Sequence, residues 1–404
     1  MTTIPGGVCA PQGFLASGVH CGIRHNKDKL DLALIMSEVQ CSAAAVYTQN
    51  KVQGAPIGVT KNNIAGGKAH GILCNSGNAN TCNPNGTQVA KECCALAAKA
   101  TGLAPQDFIV ASTGVIGQPL ALAPFVSGIP KAAAALTKTG SNAAATAIIT
   151  TDTVVKETAV EFTLGGKTCR MGAIGKGSGM IHPNMATMLI FITTDVAISP
   201  ALLQKALAEI TVTTYNQISV DGDTSTNDMV AVLANGLAGN ANVQEDSAEY
   251  QTFYQALHSI CLYMSRAIAA DGEGATKLLE CKVTGAPTDE IARAVAKNII
   301  SSSLFKAAMF GADANWGRAL CAIGYTPGNF SIDTVSVTLQ SSGGSVMVCK
   351  NAAYNPYSEQ EAAAVLAKKT IEILVDMGTG SGSGEAWGCD LTYDYVKING
   401  DYRT

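Results

Sequence analysis

The sequence predicts an α+β protein with mixed sheets, and three observations carry that reading. Apolar segments of period two are broken by Gly-Gly turns, the mark of β-hairpins. Between them lie longer segments of period 3.6 that begin at helix-capping residues. The two kinds alternate in blocks along all 404 residues, with no Pro- or Ser-rich linker and no fixed-period repeat. A chain this long exceeds one ordinary core, so two domains or pseudo-domains are expected.

The elements follow in order. Residues 29–60 read as short strands, "LDLALIMSEV" and "AAAVYTQN", and "GILCNSGNAN" as a strand ending in a loop of small amides. Residues 87–100 carry helical periodicity, and "DFIVASTGVIG" is a strand that stops in a Thr-Gly turn. Val160, Phe162 and Leu164 share one face before Gly165-Gly166, a hairpin signal. Ser199 caps a helix with Pro200 in its first turn and a stripe of Leu202, Leu203, Ala206, Leu207 and Ile210. A second long helix covers about 247–269, with Phe253, Leu257, Ile260, Met264 and Ile268 on one side. The loop "DGEGATK" leads into the strand "KLLECKVTG", and Thr288 caps a further helix. "SIDTVSVTLQ" and "SVMVCKN" form a hairpin across Gly343-Gly344, and Ser358 with Glu361 makes a capping box for a helix running to Gly378.

Composition narrows the function. The chain is 47% hydrophobic and 14% charged with 41 glycines, the profile of a well-packed soluble enzyme. A net charge of −4 without any cluster of Lys and Arg argues against nucleic acid or an anionic membrane surface as partner. The start, "MTTIPGGVCAPQGF", has neither a basic nor an apolar signal region, and no apolar stretch approaches a membrane span, so a cytoplasmic protein is expected. Thirteen cysteines without a C-x-x-C and five scattered histidines point to reduced, mostly buried thiols and to no metal.

Phosphate and calcium motifs fail on inspection. Gly166-Lys167-Thr168 has Glu161 where a phosphate-binding loop needs glycine, and "GKGSG" at 175–179 has Gly177 where a hydroxyl must follow the lysine. Asp221, Asp223 and Asp228 in "VDGDTSTND" resemble the start of a calcium loop, but its last ligand position is Val232; turn and cap duties suit them better.

The segment "KGSGMIHPNMATMLIFITTD", Lys176 to Asp195, offers chemistry instead. Gly172, Gly175, Gly177 and Gly179 permit strained turns, Ala186 leaves the following peptide carbonyl open, and Lys176 is a lone charge. These are the parts of an N-terminal-nucleophile site. The Thr187 hydroxyl adds to the Ala186 carbonyl, an N-to-O shift gives an ester, and water cleaves it. The freed Thr187 then carries its own base, an α-amine with an unperturbed pKa of about 8. One residue supplies nucleophile and base, so no histidine constellation is needed. "STGVIG" offers oxyanion donors in the Thr113 hydroxyl and the Gly114 N–H.

This segment resembles the autoprocessing region of the ornithine acetyltransferase family of arginine biosynthesis, and the resemblance extends over almost the whole chain. "GGVCAPQGF", "CNSGNANTC", "STGVIG", "ITTDT", "VDGDTSTND", "DGEGATK", "FGADANWGRAL" and "INGDYRT" carry it, in order and at fitting spacing. It implies an αββα sandwich of mixed sheets, self-cleaved into an α chain of residues 1–186 and a β chain of 187–404, joined in an α2β2 assembly. It implies ping-pong transfer of acetyl from N2-acetylornithine through Thr187 to glutamate. It further implies Thr113 and Gly114 as oxyanion hole, and Thr151 or Thr153, Lys176, Thr187, Glu273, Asn399 and Thr404 as substrate contacts. Glu273 suits a substrate ammonium and Lys176 a carboxylate. No cofactor is implied; some family members also take acetyl-CoA as donor, and these residues leave that question open. The competing reading is a self-processing aminopeptidase or amidohydrolase on the same architecture.

Overall fold

The computed structural model describes residues 1–182 and 188–401. Two mixed sheets organise them. The first has nine strands, in the order Thr2–Ile4, Lys156–Leu164, Lys167–Lys176, Leu189–Thr194, Met229–Ala234, Leu32–Tyr47, Lys68–Asn75 and Phe108–Ser112. The ninth, Phe14–Val19, pairs with the first half of Leu32–Tyr47. Most neighbours are antiparallel, but Leu189–Thr194 lies parallel to Met229–Ala234, and Lys68–Asn75 parallel to Phe108–Ser112.

Alternation along Leu32–Tyr47 sorts the core. Ala33, Ile35, Ala43 and Ala45 belong to the cluster that also buries Ala144, Ala145 and Ile148 of helix Ser141–Ile148. Leu32, Leu34 and Met36, on the other face, pack against helices Gly86–Thr101 and Ala123–Ala134. Further along that face, Ala44 and Val46 join the cluster formed with helices Pro200–Thr213 and Ala248–Ala270. Both of these last helices begin as the sequence indicates. Ser199 accepts the Leu202 N–H and Ser247 the Tyr250 N–H, and the predicted apolar stripes are buried.

The second sheet runs Ala353–Tyr354, Gly344–Lys350, Ser336–Ser341, Thr370–Asp376, Leu278–Ala286, Gly382–Cys389 and Ile218–Ser219. Helices Asp289–Ser301, Ser303–Phe310, Trp316–Gly324 and Glu359–Leu366 pack onto it around Leu279, Cys281, Ile299, Ile373 and Val375. The α+β class with mixed sheets is therefore as expected, and helices layered on two sheets fit the αββα type. Segments on either side of Ala186 and Thr187 share the first sheet. Lys167–Lys176 pairs with Leu189–Thr194, and Leu32–Tyr47 pairs with Met229–Ala234.

Four expectations need correction. Leu32–Tyr47 is one sixteen-residue strand rather than several, because an irregularity between Met36 and Cys41 carries the exposed Glu38, Val39 and Gln40 through the ladder. Residues 55–63 form a helix, Ala55–Asn63, because Pro56 presets the first turn and Ile57, Val59 and Thr60 bury one face. The helix capped by Ser358 ends at Leu366, and the next segment alternates Ile371, Ile373 and Val375 into the core as a strand. The first hairpin is as expected, Leu164 opposing Lys167 across Gly165-Gly166, both with positive φ; the second turns one residue earlier than expected, at Ser342-Gly343, because Gly344 already pairs with Ser341.

All thirteen cysteines are free and nine are buried, where desolvation pushes thiols such as Cys41 up to about 12, away from reactive thiolates. Among the described residues no helix is long and apolar enough to cross a membrane, and no cluster of three or more His, Cys, Asp or Glu could hold a metal ion.

Candidate active site

The candidate site lies where strands Phe108–Ser112 and Lys167–Lys176 end and strand Met229–Ala234 begins. A cavity of about 330 Å³ there is lined by Thr113, Gly114, Thr151, Lys176, Glu273 and Asn399, among others. Ala79, Val115, Ile116, Met180, Ser225, Thr226 and Asn227 also line it, and none of these is among the site residues expected from the sequence.

Thr113 and Gly114 follow directly on a buried strand. The Thr113 N–H donates to Asn75 O at 3.0 Å, and Ala79 N–H returns to Val115 O at 3.0 Å, so the turn is laced to the amide-rich loop. Gly114 has φ of +129°, and a Cβ there would lie 2.4 Å from Gly77 C and 2.5 Å from Asn78 N. Only glycine fits. Gly114 lines the cavity wall beside Thr113.

Lys176 closes its strand opposite Leu189 and is only 9% exposed. Its ammonium donates to Thr113 Oγ1 at 3.4 Å. A hydroxyl that accepts from an ammonium keeps its own proton for another acceptor, so Thr113 is set as a donor. Glu273, early in the loop after helix Ala248–Ala270, is 8% exposed, and its Oε2 accepts from Asn399 Nδ2 at 2.8 Å. Asn399 comes from the helix Tyr393–Asp401. One cavity thus holds a cation, an anion, a hydroxyl donor and an amide donor.

Two buried networks hold these groups. The first centres on Asn227, whose Nδ2 donates to Ala79 O at 2.6 Å and Ser112 O at 3.0 Å. Its Oδ1 accepts from Thr81 Oγ1 at 2.5 Å and Thr226 Oγ1 at 2.6 Å. The second centres on Lys156, whose ammonium reaches Asp152 Oδ1 at 2.8 Å and Asp271 Oδ2 at 2.5 Å. Asp152 also accepts the Gly177 N–H at 2.7 Å, beside Lys176. Burial alone would raise the Asp152 pKa, but Lys176 and Lys156 overcome it and bring the carboxyl to about 2. Asp271 takes the Thr153 hydroxyl and N–H, so Thr153 belongs to this network and does not line the cavity, whereas Thr151 does.

Asp221, read for turn and cap duties, accepts the N–H groups of Met180 and Ile181 at 2.6 and 2.8 Å and so fixes the loop below Lys176. Asp228 is fully buried, and desolvation holds its carboxyl well above the usual range. Ala186, Thr187 and Thr404 lie outside the described residues.

Comparison with known proteins identifies the family. Residues 15–404 match the ArgJ family. The arginine biosynthesis bifunctional protein ArgJ of Geobacillus kaustophilus is 49% identical over 401 residues, 99% of this chain and 96% of that protein. Its counterpart in Symbiobacterium thermophilum is 48% identical over 406 residues, with 100% of both chains covered. A crystal structure of arginine biosynthesis bifunctional protein ArgJ from Bacillus halodurans is 48% identical, with a TM-score of 0.51; it covers 54% of this chain and 100% of the solved one. The fold, the site and these likenesses define an acyltransferase of arginine biosynthesis. The chain belongs to the ArgJ family.

Proposed function

We propose that this enzyme transfers acetyl from N2-acetyl-L-ornithine to L-glutamate by a ping-pong route through Thr187, after cutting itself between Ala186 and Thr187. The observation that carries the proposal is the convergence of Thr113, Gly114, Lys176 and Glu273 on one cavity beside the Lys176–Leu189 pair, with Leu189 two residues beyond Thr187 in sequence. In each half-reaction a tetrahedral oxyanion forms, and the Gly114 N–H and Thr113 O–H are the donors for it. In the first half, Thr187 Oγ attacks the acetyl carbonyl and ornithine leaves as the amine. In the second, the glutamate amine attacks the acetyl ester and Thr187 is regenerated. The Thr187 α-amine takes and returns the proton. Lys176 receives a substrate carboxylate and Glu273 a substrate ammonium. Thr151, Asn399 and Thr404 complete the substrate contacts.

The cut divides the protein into residues 1–186 and 187–404. Support comes from the solved Bacillus halodurans chain, which accounts in full for 54% of this one, the same share that residues 187–404 make of the 404. The shared first sheet keeps the two pieces together after cleavage, and two such pairs form the α2β2 assembly. No cofactor takes part. The names of the relatives, bifunctional proteins, support acetyl-CoA as a second donor for glutamate.

The deciding assay follows acetyl from labelled N2-acetylornithine. Appearance of N-acetylglutamate with parallel-line kinetics is expected, and label released only as acetate would favour a hydrolase instead. The same assay with acetyl-CoA decides whether this chain uses both donors.

A further inference from the structure

Glycine at 179 leaves empty a volume that Glu273 fills. The two residues lie on adjoining stretches of backbone: Glu273 N–H donates to Ser178 O at 3.1 Å, and Ser178 Oγ donates to Asp271 O at 2.7 Å. A Cβ on Gly179 would sit 2.3 Å from Glu273 Cδ and 2.3 and 2.4 Å from its two carboxylate oxygens. The φ of Gly179 is not in the left-handed region, so what stands against a side chain there is space. The loop has little room to yield. Met180 and Ile181, directly after it, are both tied to the Asp221 carboxylate. Gly179, Glu273 and Asn399 line the same cavity.

We infer that Gly179 is a specificity-determining position: by lacking a side chain it lets the Glu273 carboxylate lie over the cavity, where it selects a substrate bearing a side-chain ammonium. The inference rests on the proposed acetyl transfer. N2-acetylornithine offers such an ammonium at the end of its side chain, whereas glutamate offers a carboxylate there. An alanine at 179 displaces the carboxylate without removing its charge. The obstructed atoms are the free end of a flexible side chain, so the fold tolerates the change.

The test compares Gly179→Ala with the unaltered enzyme on both substrates. The KM for N2-acetylornithine is expected to rise roughly ten-fold, the size of a lost hydrogen bond to a charged group, while the KM for glutamate changes by less than about two-fold. In a Glu273→Ala background, where no carboxylate remains to be displaced, Gly179→Ala is expected to add nothing. Equal rises for both substrates, or the same loss with and without Glu273, would overturn the inference. Calorimetric titration of ornithine separates the two levels. Unaltered enzyme that neither binds ornithine nor transfers acetyl defeats the functional reading, whereas normal binding and transfer unchanged by Gly179→Ala defeats only this inference.

Discussion

The site end of the first sheet and the interior of the second sheet are both buried, yet they are built differently. Around the site, Asn75, Asn78, Asn80, Thr81, Lys156, Lys176 and Asn227 are all buried, joined by side-chain hydrogen bonds and ion pairs that cross between distant parts of the chain. Between the second sheet and its helices, Leu279, Val283, Ile299, Phe305, Val337, Ile373 and Val375 make an apolar core. An apolar core tolerates small repacking because its attractions have no direction. A hydrogen-bonded network does not, since each lost partner leaves a buried group unsatisfied. The first region is therefore suited to fixing the atoms of the proposed site, and the second to supplying stability; its strand Gly382–Cys389 leads toward the helix bearing Asn399.

Substitutions sharpen this contrast, beginning with the largest effect. Thr187→Ala removes the proposed nucleophile and, by blocking the cut, the proposed base; one uncut chain without measurable acetyl transfer is expected on denaturing gels and in the assay, and two fragments would refute the cleavage site. Asn227→Ala takes a donor from the Ser112 carbonyl, next to Thr113 and Gly114, the proposed oxyanion donors. Turnover should fall roughly a hundred-fold while the KM for glutamate moves little, because the loss falls on the transition state. Normal turnover would show that this network does not aim Thr113 and Gly114. In the apolar region, Ile373→Ala should cost about 2–5 kcal/mol in unfolding free energy, measured by urea denaturation, with kcat and KM of the folded enzyme unchanged. A large change in KM there would erase the distinction between the two regions.

The smallest effect is on acid stability. Asp152 has a folded pKa of about 2 against an ordinary 3.8, so the unfolded chain takes up its proton first as pH falls. Its contribution, about 2 kcal/mol, is present above pH 4 and lost between about pH 4 and 2. His182, held down to about 4 chiefly by burial, loses its own contribution from about pH 6.5 to 4. Asp228, raised by burial, acts in the opposite sense and favours the folded state at low pH. Urea midpoints at several pH values should show Asp152→Asn reducing the lowest step; an unaltered step would place the acid sensitivity elsewhere.

The same contrast explains what the sequence made legible. Local signals were legible: the Gly165-Gly166 hairpin and the caps at Ser199, Thr288 and Ser358 depend on residues a few positions apart. Periodicity misled where polar residues ride inside a strand, as at Glu38–Gln40, or where a proline-led helix is short, as at Ala55–Asn63. The lining of the candidate cavity was legible through motifs, because Thr113, Gly114, Lys176 and Glu273 sit in recognisable short stretches. Its supports were not. Asn227 stood in "VDGDTSTND", where turn duties were the natural reading, and its partners Ala79 and Ser112 lie 148 and 115 residues away. Thr151 and Thr153 could not be told apart by spacing, since what separates them is Asp271, far along the chain.

The central claim is the self-made N-terminus, and it is tested by sequencing both ends of the purified protein together with its intact mass. Two polypeptides, one of them beginning Thr187-Met188-Leu189, are expected. A single uncut chain that nonetheless transfers acetyl from N2-acetylornithine to glutamate would contradict the account.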